Sequence, residues 1–261
     1  MKKLGLALGA GGARGVAHVG FLQALDENGI KPDFISGSSM GSVVGACYAI
    51  GMKPNEMMRH VLKLHSRDLI DFSPTAFKAG SILKSKKLSQ TLGFYLRGKQ
   101  FEDLKIPFSC TGVDVLSGKE VLFTKGDLRP AVVASSSIPL IFQPVEVDEM
   151  LVCDGGVLCR VPIKHVKAMG ADVVIGLDVL GPLSELEELK SVPKYFLRLI
   201  DIYDTKITST EVEQQKPDLY LCPDLGDMSQ YKIDTEKFLF AYKQGYKIAM
   251  DNMDTIKSLL K

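Results

Sequence analysis

The residues best suited to chemistry lie in a glycine-flanked serine motif. Ser39 stands at the centre of Gly37-Ser-Ser-Met-Gly41, which follows the apolar pair Phe34-Ile35 and precedes a helix-like run of small residues over 42–51. A tight turn between a strand and a helix lifts a serine hydroxyl out of the sheet edge and points a helix N-terminus at it. Glycine at both ends of the motif removes the Cβ atoms that would block such a turn. The context predicts that Ser39 is a nucleophile.

A glycine-rich loop at residues 9–15 is the candidate for stabilising the oxyanion that a serine attack would create. Successive backbone N–H groups in such a loop converge on one point, where the dipole of the following helix adds positive potential. The N–H after the nucleophile is the expected second arm of the hole. The predicted donors are Gly11, Gly12, Ala13 and Met40.

Other classes of site fit the chain less well. Ala10 or Arg14 interrupts each frame of a dinucleotide-binding G-x-G-x-x-G motif, and the second predicted strand ends in Gly37 instead of an acidic residue. A formal net charge of +1 gives no reason to expect nucleic acid as a partner. The five cysteines form no C-x-x-C pair and no Cys/His cluster in sequence, so we expect neither zinc nor disulfides, and no cofactor.

The general base is the less obvious residue. None of the four histidines, at positions 18, 60, 65 and 165, follows a late strand as in a hydrolase triad. His18 lies nearest to the glycine loop and is expected to hydrogen-bond the backbone there, with a role as base kept as the alternative. Asp154 follows the predicted strand 151–153 within Asp-Gly-Gly, where a carboxylate can approach another loop closely. Alone, such a motif commonly marks only a turn.

The order of the predicted elements indicates the fold class. Strands that alternate with helices imply an α/β fold with a mainly parallel sheet covered on both faces, and no linker divides residues 1–261 into two domains. The patterns also predict a helical region over 185–214, interrupted near Pro193, and one amphipathic helix over 235–260. No apolar run is long enough for a membrane span, so we expect a soluble protein. The lack of a disulfide framework fits a reducing cytoplasm.

Two segments leave a structural and a functional interpretation open. Residues 66–100 combine basic with apolar side chains, which suits either a solvated helix pair or a mobile lid over an acyl-binding cleft. Peripheral contact with a membrane surface would use 78–99 and the apolar stretch 195–203. Packing into the core explains both stretches about as well.

Three linked motifs resemble the patatin-like phospholipases: Ala-Gly-Gly-Ala-Arg-Gly at 10–15, Gly-Ser-Ser-Met-Gly at 37–41 and Asp-Gly-Gly at 154–156. The resemblance covers roughly residues 3–180. It implies a three-layer α/β/α fold and a lipid acyl hydrolase that works through an acyl-enzyme, with Ser39 as nucleophile, Asp154 as base and no metal. The supporting residues it implies are Ala10, Arg14, Gly15, Gly37, Gly41, Gly155 and Gly156.

The chain departs from the family pattern at several positions. Ala10 replaces the first loop glycine, and Leu140 stands where glycine is common, which is expected to reshape the acyl pocket. Leu158-Cys-Arg160 replaces an Asn-Pro type segment, so what supports Asp154 is open. Residues 181–261 match nothing in the family pattern. The rival functions are an esterase or thioesterase for small soluble acyl substrates, and a regulatory or adaptor protein that has lost turnover.

Overall fold

A computed structural model describes residues 2–64, 90–91, 95–183 and 191–261 of the chain. The predicted lid at 66–100 therefore lies mostly outside the described residues. The described strands are β1 (Leu4–Leu8), β2 (Phe34–Gly37), β3 (Phe108–Asp114), β4 (Lys119–Phe123), β5 (Val145–Val147), β6 (Met150–Asp154), β7 (Val173–Leu177) and β8 (Leu219–Leu221). The described α-helices are α1 (Val16–Glu27), α2 (Met40–Ala49), α3 (Pro54–Val61), α4 (Leu128–Ser135), α5 (Ile163–Ala168), α6 (Val192–Gln215), α7 (Thr235–Asp251) and α8 (Met253–Leu259).

The strands form one sheet, and following hydrogen-bonded neighbours through it gives the order β5-β6-β3-β2-β1-β7-β8, with β4 also paired to β3. The pairs from β3 through β2, β1 and β7 to β8 are parallel, whereas β4 and β6 run antiparallel to β3. Every residue of the central strands β1 and β7 is buried, as expected for parallel strands covered on both faces. The predicted α/β class is confirmed.

Alternate residues of β1 face the two helical layers. Leu4, Leu6 and Leu8 belong to the large apolar cluster that also contains side chains of α1, α2, α4 and α7. Ala7 points to the opposite face, where it joins Ile163 of α5 and, at the margin, Val212 of α6. No helix among the residues that the structure describes is both long and apolar enough to cross a membrane.

Helix α7 packs against α1 through a glycine on each helix. A Cβ atom at Gly20 would overlap the carbonyl oxygen of Tyr242, and one at Gly245 would overlap that of Ala17. Such close approach of two backbones requires residues without side chains. The C-terminal region is therefore packed directly onto the first helix of the family-like part.

Strand β3 brings the ends of β2 and β6 together. Cys110 pairs with Gly37 of β2, and Gly112, two residues further on, pairs with Asp154 of β6. Because β4 occupies the other edge of β3 over residues 110–114, β2 and β6 must share one edge and meet end to end. The serine motif after β2 and the carboxylate at the end of β6 are adjacent for this reason.

The C-terminal helices differ from the prediction in one respect. Helix α6 begins at Val192 with Pro193 in its first turn, where the missing N–H of proline is tolerated, and the part of the predicted helical region before Ser191 lies outside the described residues. The helix predicted over 235–260 is broken at Asn252 into α7 and α8. The Asn252 side chain donates to the Ile248 carbonyl at 2.8 Å, which gives the helix backbone a competing partner at this point.

Candidate active site

The turn that carries Ser39 is tight and strained. Ser39 has φ 52° and ψ −123°, which a residue with a side chain rarely adopts. A Cβ atom at Gly37 would lie 2.5 Å from the Gly41 carbonyl oxygen, and one at Gly41 would overlap the Leu8 carbonyl oxygen. The two glycines are therefore needed where the elbow passes over the end of β1.

Ser39 and Asp154 are hydrogen-bonded to each other. The Ser39 hydroxyl donates to Oδ2 of Asp154 at 2.5 Å, and both residues are buried. The second carboxylate oxygen, Oδ1, accepts the Gly156 N–H at 2.8 Å. A Cβ atom at Gly155 would overlap Thr111 of β3, so the Asp-Gly-Gly turn can lie flat against the sheet only with glycine there. The carboxylate is held at a fixed angle to the serine.

Burial raises the pKa of Asp154 to about 7. The hydrogen bonds from Ser39 and Gly156 and the positive charge of Arg160 lower this pKa, whereas the negative charge of Asp204 raises it further. A base is most useful when its pKa lies close to the working pH, since it is then both ionised and able to take a proton. Asp154 combines this property with contact to the serine hydroxyl.

A run of three serines at the C-terminal end of α4 contacts both residues. The Ser39 N–H donates to the Ser135 hydroxyl at 3.2 Å, and the Asp154 N–H donates to the Ser137 carbonyl at 3.1 Å. The Ser136 hydroxyl lies 3.4 Å from the Ser39 carbonyl. Sequence reasoning gave these serines no role. Their signals are three adjacent hydroxyls directly after a predicted helix and the resemblance of the stretch 134–139 to the family.

The structure separates the four predicted oxyanion donors. Gly12, Ala13 and Met40 line the same cavity as Ser39, whereas Gly11 packs against Val179 outside it. The prediction for Ala13 is corrected, because its N–H donates to the Gln230 carbonyl at 2.9 Å. Within the described residues, the N–H groups of Gly11, Gly12 and Met40 donate to no backbone carbonyl. Gly12 and Met40 are therefore the donors best placed beside Ser39.

The predicted supporting residue Arg14 holds the glycine loop to the C-terminal part of the chain. Its Nε donates to the Met228 carbonyl at 2.6 Å, and its two terminal nitrogens donate to the carbonyls of Leu180 and, at 3.4 Å, of Gly226. The Arg14 guanidinium thus donates its hydrogen bonds to backbone oxygens. This favours a role in holding the glycine loop in place over a role in attracting an anionic headgroup. Gly15 leaves room for the Met40 side chain.

Arg160 supports the other end of the same loop. Its guanidinium is buried, donates to Asp204 of α6 at 2.5 Å and donates to the Ala10 carbonyl at 2.9 Å. The Ala10 N–H in turn donates to the Arg160 carbonyl at 2.9 Å. The departure from the family pattern at 158–160 thus introduces a buried cation beside the Asp154 turn.

The three histidines that the structure describes make no contact with Ser39. His18 is fully buried and Nε2 lies 2.8 Å from the Gly9 carbonyl oxygen, and burial lowers its pKa to about 4, so the ring is neutral and donates this bond. His60 lines the cavity with its ring 4.8 Å from that of Tyr95. His165 pairs with Glu120, and His65 lies outside the described residues.

Glu120, Cys159 and His165 form a cluster that the sequence did not reveal. Their ligand atoms lie within 4.8 Å of one another. The residues come from β4, from the loop after β6 and from α5, so no local spacing announces them. Lys164 pairs with Glu120 at 2.5 Å and already balances the carboxylate charge. The cluster is accounted for by contacts within the protein.

An apolar cavity of about 480 Å³ opens beside Ser39, within the size range of ligand sites. Its lining includes Val16, Val19, Val43, Val44, Cys47, Met52, Met57, Val61, Leu64, Ile138, Ile141, Phe142, Ile233 and Phe238. Leu140 is not among the lining residues, whereas its neighbours Ile138 and Ile141 are, so the Leu140 side chain does not itself form the pocket wall. Leu140 has φ 68°, the left-handed region that favours glycine.

A protein-family model described as patatin-like phospholipase matches residues 6–167. The chain belongs to this family. Among its relatives, an uncharacterised NTE family protein of Mycobacterium bovis, Mb1092c, is 37% identical over 179 residues, which are 69% of this chain and 49% of that protein. Lysophospholipase NTE1 of Phaeosphaeria nodorum is 30% identical over 187 residues, which are 70% of this chain and 12% of that protein. This patatin-like chain thus spans about half the length of its mycobacterial relatives.

Two solved structures share the fold of this patatin-like protein at low sequence identity. VipD from Legionella pneumophila aligns with a TM-score of 0.60 and 16% identity, over 97% of this chain and 67% of that chain. The type III effector protein ExoU aligns with a TM-score of 0.52 and 15% identity, over 98% of this chain and 53% of that chain.

Part of the site lies beyond the residues that the family model matches. The cavity wall from Gln230 to Asp234, Phe238 of α7 and the partner of Arg160 on α6 all follow residue 167. Sequence reasoning found no motif in this region. The features that identify it are contacts across the fold, which a linear pattern does not record.

Proposed function

We propose that this patatin-like protein is a serine acyl hydrolase that cleaves carboxylic ester bonds of lipids. The observation that carries the proposal is the 2.5 Å hydrogen bond from Ser39 Oγ to Asp154 Oδ2, made in the wall of an apolar cavity. The bond aims the serine proton at a buried carboxylate, and the cavity offers a place for an acyl chain beside the nucleophile.

In the first half-reaction, Ser39 Oγ attacks the ester carbonyl carbon while Asp154 takes the hydroxyl proton. The carbonyl oxygen becomes an oxyanion, which the N–H groups of Gly12 and Met40 and the N-terminus of α2 are placed to stabilise. Collapse of this intermediate breaks the bond to the alkoxy oxygen, which leaves with the proton held by Asp154. The acyl group remains on Ser39.

In the second half-reaction, water replaces the alcohol. Asp154 takes a proton from the water as its oxygen attacks the acyl carbon, and the second oxyanion occupies the same site as the first. Collapse returns the proton to Ser39 Oγ and releases the fatty acid. Asp154 thus acts as base and then as acid in both halves.

The cavity favours a long acyl chain over a small soluble one. Each methylene group removed from water contributes about 0.8 kcal/mol, and the wall is mostly hydrocarbon. The relatives named lysophospholipase NTE1 support an ester of a single-chain phospholipid as the first substrate to test, with phospholipid and acylglycerol next. An esterase for small acyl groups would show no gain with chain length. A non-catalytic adaptor would bind its partner equally well after Ser39→Ala.

The test measures fatty acid release from a lysophospholipid, a monoacylglycerol and a butyryl ester. Wild type is compared with Ser39→Ala and with Ser209→Ala, which removes an exposed hydroxyl on α6 as a matched control. We expect wild type and Ser209→Ala to release fatty acid, with preference for the long chain, and Ser39→Ala to release none. Equal rates for wild type and Ser39→Ala would refute the proposal.

Peripheral contact with a membrane surface belongs to the same proposal. Tyr195, Phe196, Ile202 and Tyr203 of α6 are exposed, with Tyr203 at 68%, so packing into the core does not account for them. Exposed aromatic side chains of this kind suit the boundary between lipid headgroups and acyl chains. Flotation with anionic vesicles at low salt tests this contact, and Tyr203→Ser should weaken it. Failure of wild type to float would exclude it.

A further inference from the structure

Helix α6 holds Ala10, near the start of the glycine loop, through a buried ion pair. Asp204 of α6 accepts a hydrogen bond from Arg160 at 2.5 Å, and the side chains of both residues are less than a tenth exposed. The other terminal nitrogen of Arg160 donates to the Ala10 carbonyl at 2.9 Å. Ala10 directly precedes Gly11 and Gly12. Asp204 therefore fixes the orientation of the Arg160 guanidinium, which in turn binds the start of the glycine loop.

The same helix holds the far end of this loop through a second aspartate, one turn away. Asp201 accepts hydrogen bonds from the Gln230 side chain at 2.6 Å and from the Tyr231 hydroxyl at 3.3 Å. The Gln230 carbonyl accepts the Ala13 N–H at 2.9 Å. Residues three apart on a helix lie on the same face, so one face of α6 reaches both ends of the loop.

We infer that Asp201 and Asp204 are positioning residues of the catalytic site, which hold the glycine loop at Ala10 and at Ala13 so that Gly12 between them points its N–H group at the reacting carbonyl. The inference rests on the proposed function. It extends the site beyond residue 167, where the match to the family model ends. Helix α6 therefore helps to position the groups of the catalytic site.

Asp204 has a second effect that Asp201 lacks. The charged and titratable groups that face Asp154 are the Ser39 hydroxyl, the Arg160 guanidinium, the Asp204 carboxylate and the Cys153 thiol. The positive charge of Arg160 lowers the pKa of Asp154 and the negative charge of Asp204 raises it. Removal of either charge must therefore move the pKa of the base, and the two shifts have opposite signs.

The experiment compares Asp204→Asn, Arg160→Gln and Asp201→Asn with wild type, using the pH dependence of kcat and KM on a butyryl ester. Glu213→Gln, an exposed carboxylate on α6, is the matched control and should behave as wild type. We expect kcat to fall about 10- to 100-fold in the first three variants, the size of effect that small misplacement of a site produces. KM should change less than kcat in Asp204→Asn and Arg160→Gln, because neither residue lines the cavity.

The pH profiles separate positioning from a general loss of structure. The acidic limb should move to lower pH in Asp204→Asn and to higher pH in Arg160→Gln. It should move least in Asp201→Asn, because the charge of Asp201 acts on Asp154 only through Asp204. Limbs that coincide with wild type in all three variants, or kcat values within twofold of wild type, would overturn the inference. If wild type shows no activity that Ser39→Ala abolishes, the proposed function fails instead.

Folding is monitored by the thermal midpoint of each variant. Removal of one partner from a buried ion pair leaves an uncompensated charge, so Asp204→Asn and Arg160→Gln are expected to melt earlier. Asp204→Glu and Arg160→Lys retain the charges and serve where the neutral variants do not fold. With the charges kept, the acidic limb should stay at its wild-type position while kcat falls. A displaced limb in these charge-retaining variants would contradict the inference.

Discussion

The substitution Asp154→Asn should inactivate the protein and also stabilise it. Asp154 is fully buried, and burial raises its pKa from 3.8 to about 7. The folded protein then keeps this proton up to a higher pH than the unfolded chain does. The stability contributed by the protonated group is complete below about pH 4 and is lost as the pH rises through 7. Asparagine does not titrate, so Asp154→Asn loses no stability from this position over the same pH range.

The size of the effect follows from the two pKa values. The term for one group is RT ln[(1 + 10^(pH − 3.8))/(1 + 10^(pH − 7))], with 3.8 for the unfolded chain and about 7 for the folded protein. It amounts to about 1.7 kcal/mol at pH 5 and about 4.3 kcal/mol at pH 8. The stability of Asp154→Asn relative to wild type should therefore increase by about 2.6 kcal/mol between these values, as an upper estimate.

The assay is urea unfolding of wild type and Asp154→Asn at pH 5, 6.5 and 8. Other titrating groups contribute equally to both proteins and cancel in the difference. Asp251→Asn, which removes an exposed carboxylate of α7, is the control and should show a nearly constant difference from wild type. A difference between wild type and Asp154→Asn that is the same at all three pH values, or larger at pH 5, would refute the raised pKa.

Three further predictions concern activity. Because Asp154 must be ionised to act as base, kcat/KM should rise about tenfold from pH 6 to pH 8 around its pKa of about 7, and a profile flat over this range would contradict its role. In the cavity wall, Val44→Phe should reduce the space for a long acyl chain. For dodecanoyl esters, kcat/KM should fall by about fourfold for each methylene group that can no longer be buried, whereas kcat/KM for butyryl esters should stay the same. A uniform loss would place the acyl chain elsewhere. At the elbow, Gly41→Ala forces a Cβ atom onto the Leu8 carbonyl and should reduce kcat by about 100-fold. Gly29→Ala meets nothing within 4 Å but strains a backbone with φ 70°, so it should lower stability and leave kcat unchanged. Equal effects of the two substitutions would refute the steric account.

The sequence predicted those parts of the molecule that local pattern records. The strand–turn–helix context of Ser39, the alternation of strands and helices and the three linked motifs were enough for the α/β fold and the patatin-like family, both of which are confirmed. Each motif and each strand or helix pattern depends on residues that are close to one another in the sequence. Glycines at 37 and 41 are informative because no other residue fits the backbone there.

Contacts between distant segments had no such signal. Arg160 and Asp204 are 44 residues apart, and the Gln230 carbonyl reaches Ala13 from the other end of the chain. An aspartate on a long helix has the same appearance in sequence whether it faces solvent or a buried guanidinium. For the same reason Ala13 was predicted as a free donor, because nothing near it in sequence shows that Gln230 accepts its N–H.

The most direct test of the Ser39–Asp154 pair is labelling with a fluorophosphonate, read by peptide mass spectrometry. Wild type, Ser39→Ala and Asp154→Asn are labelled side by side at pH 8, after equal thermal midpoints or better have shown that the variants are folded. We predict an adduct on Ser39 in wild type, none in Ser39→Ala, and strongly slowed labelling in Asp154→Asn. Labelling of Asp154→Asn at the wild-type rate would show that Asp154 does not activate Ser39, and absence of an adduct in wild type would contradict the nucleophile itself.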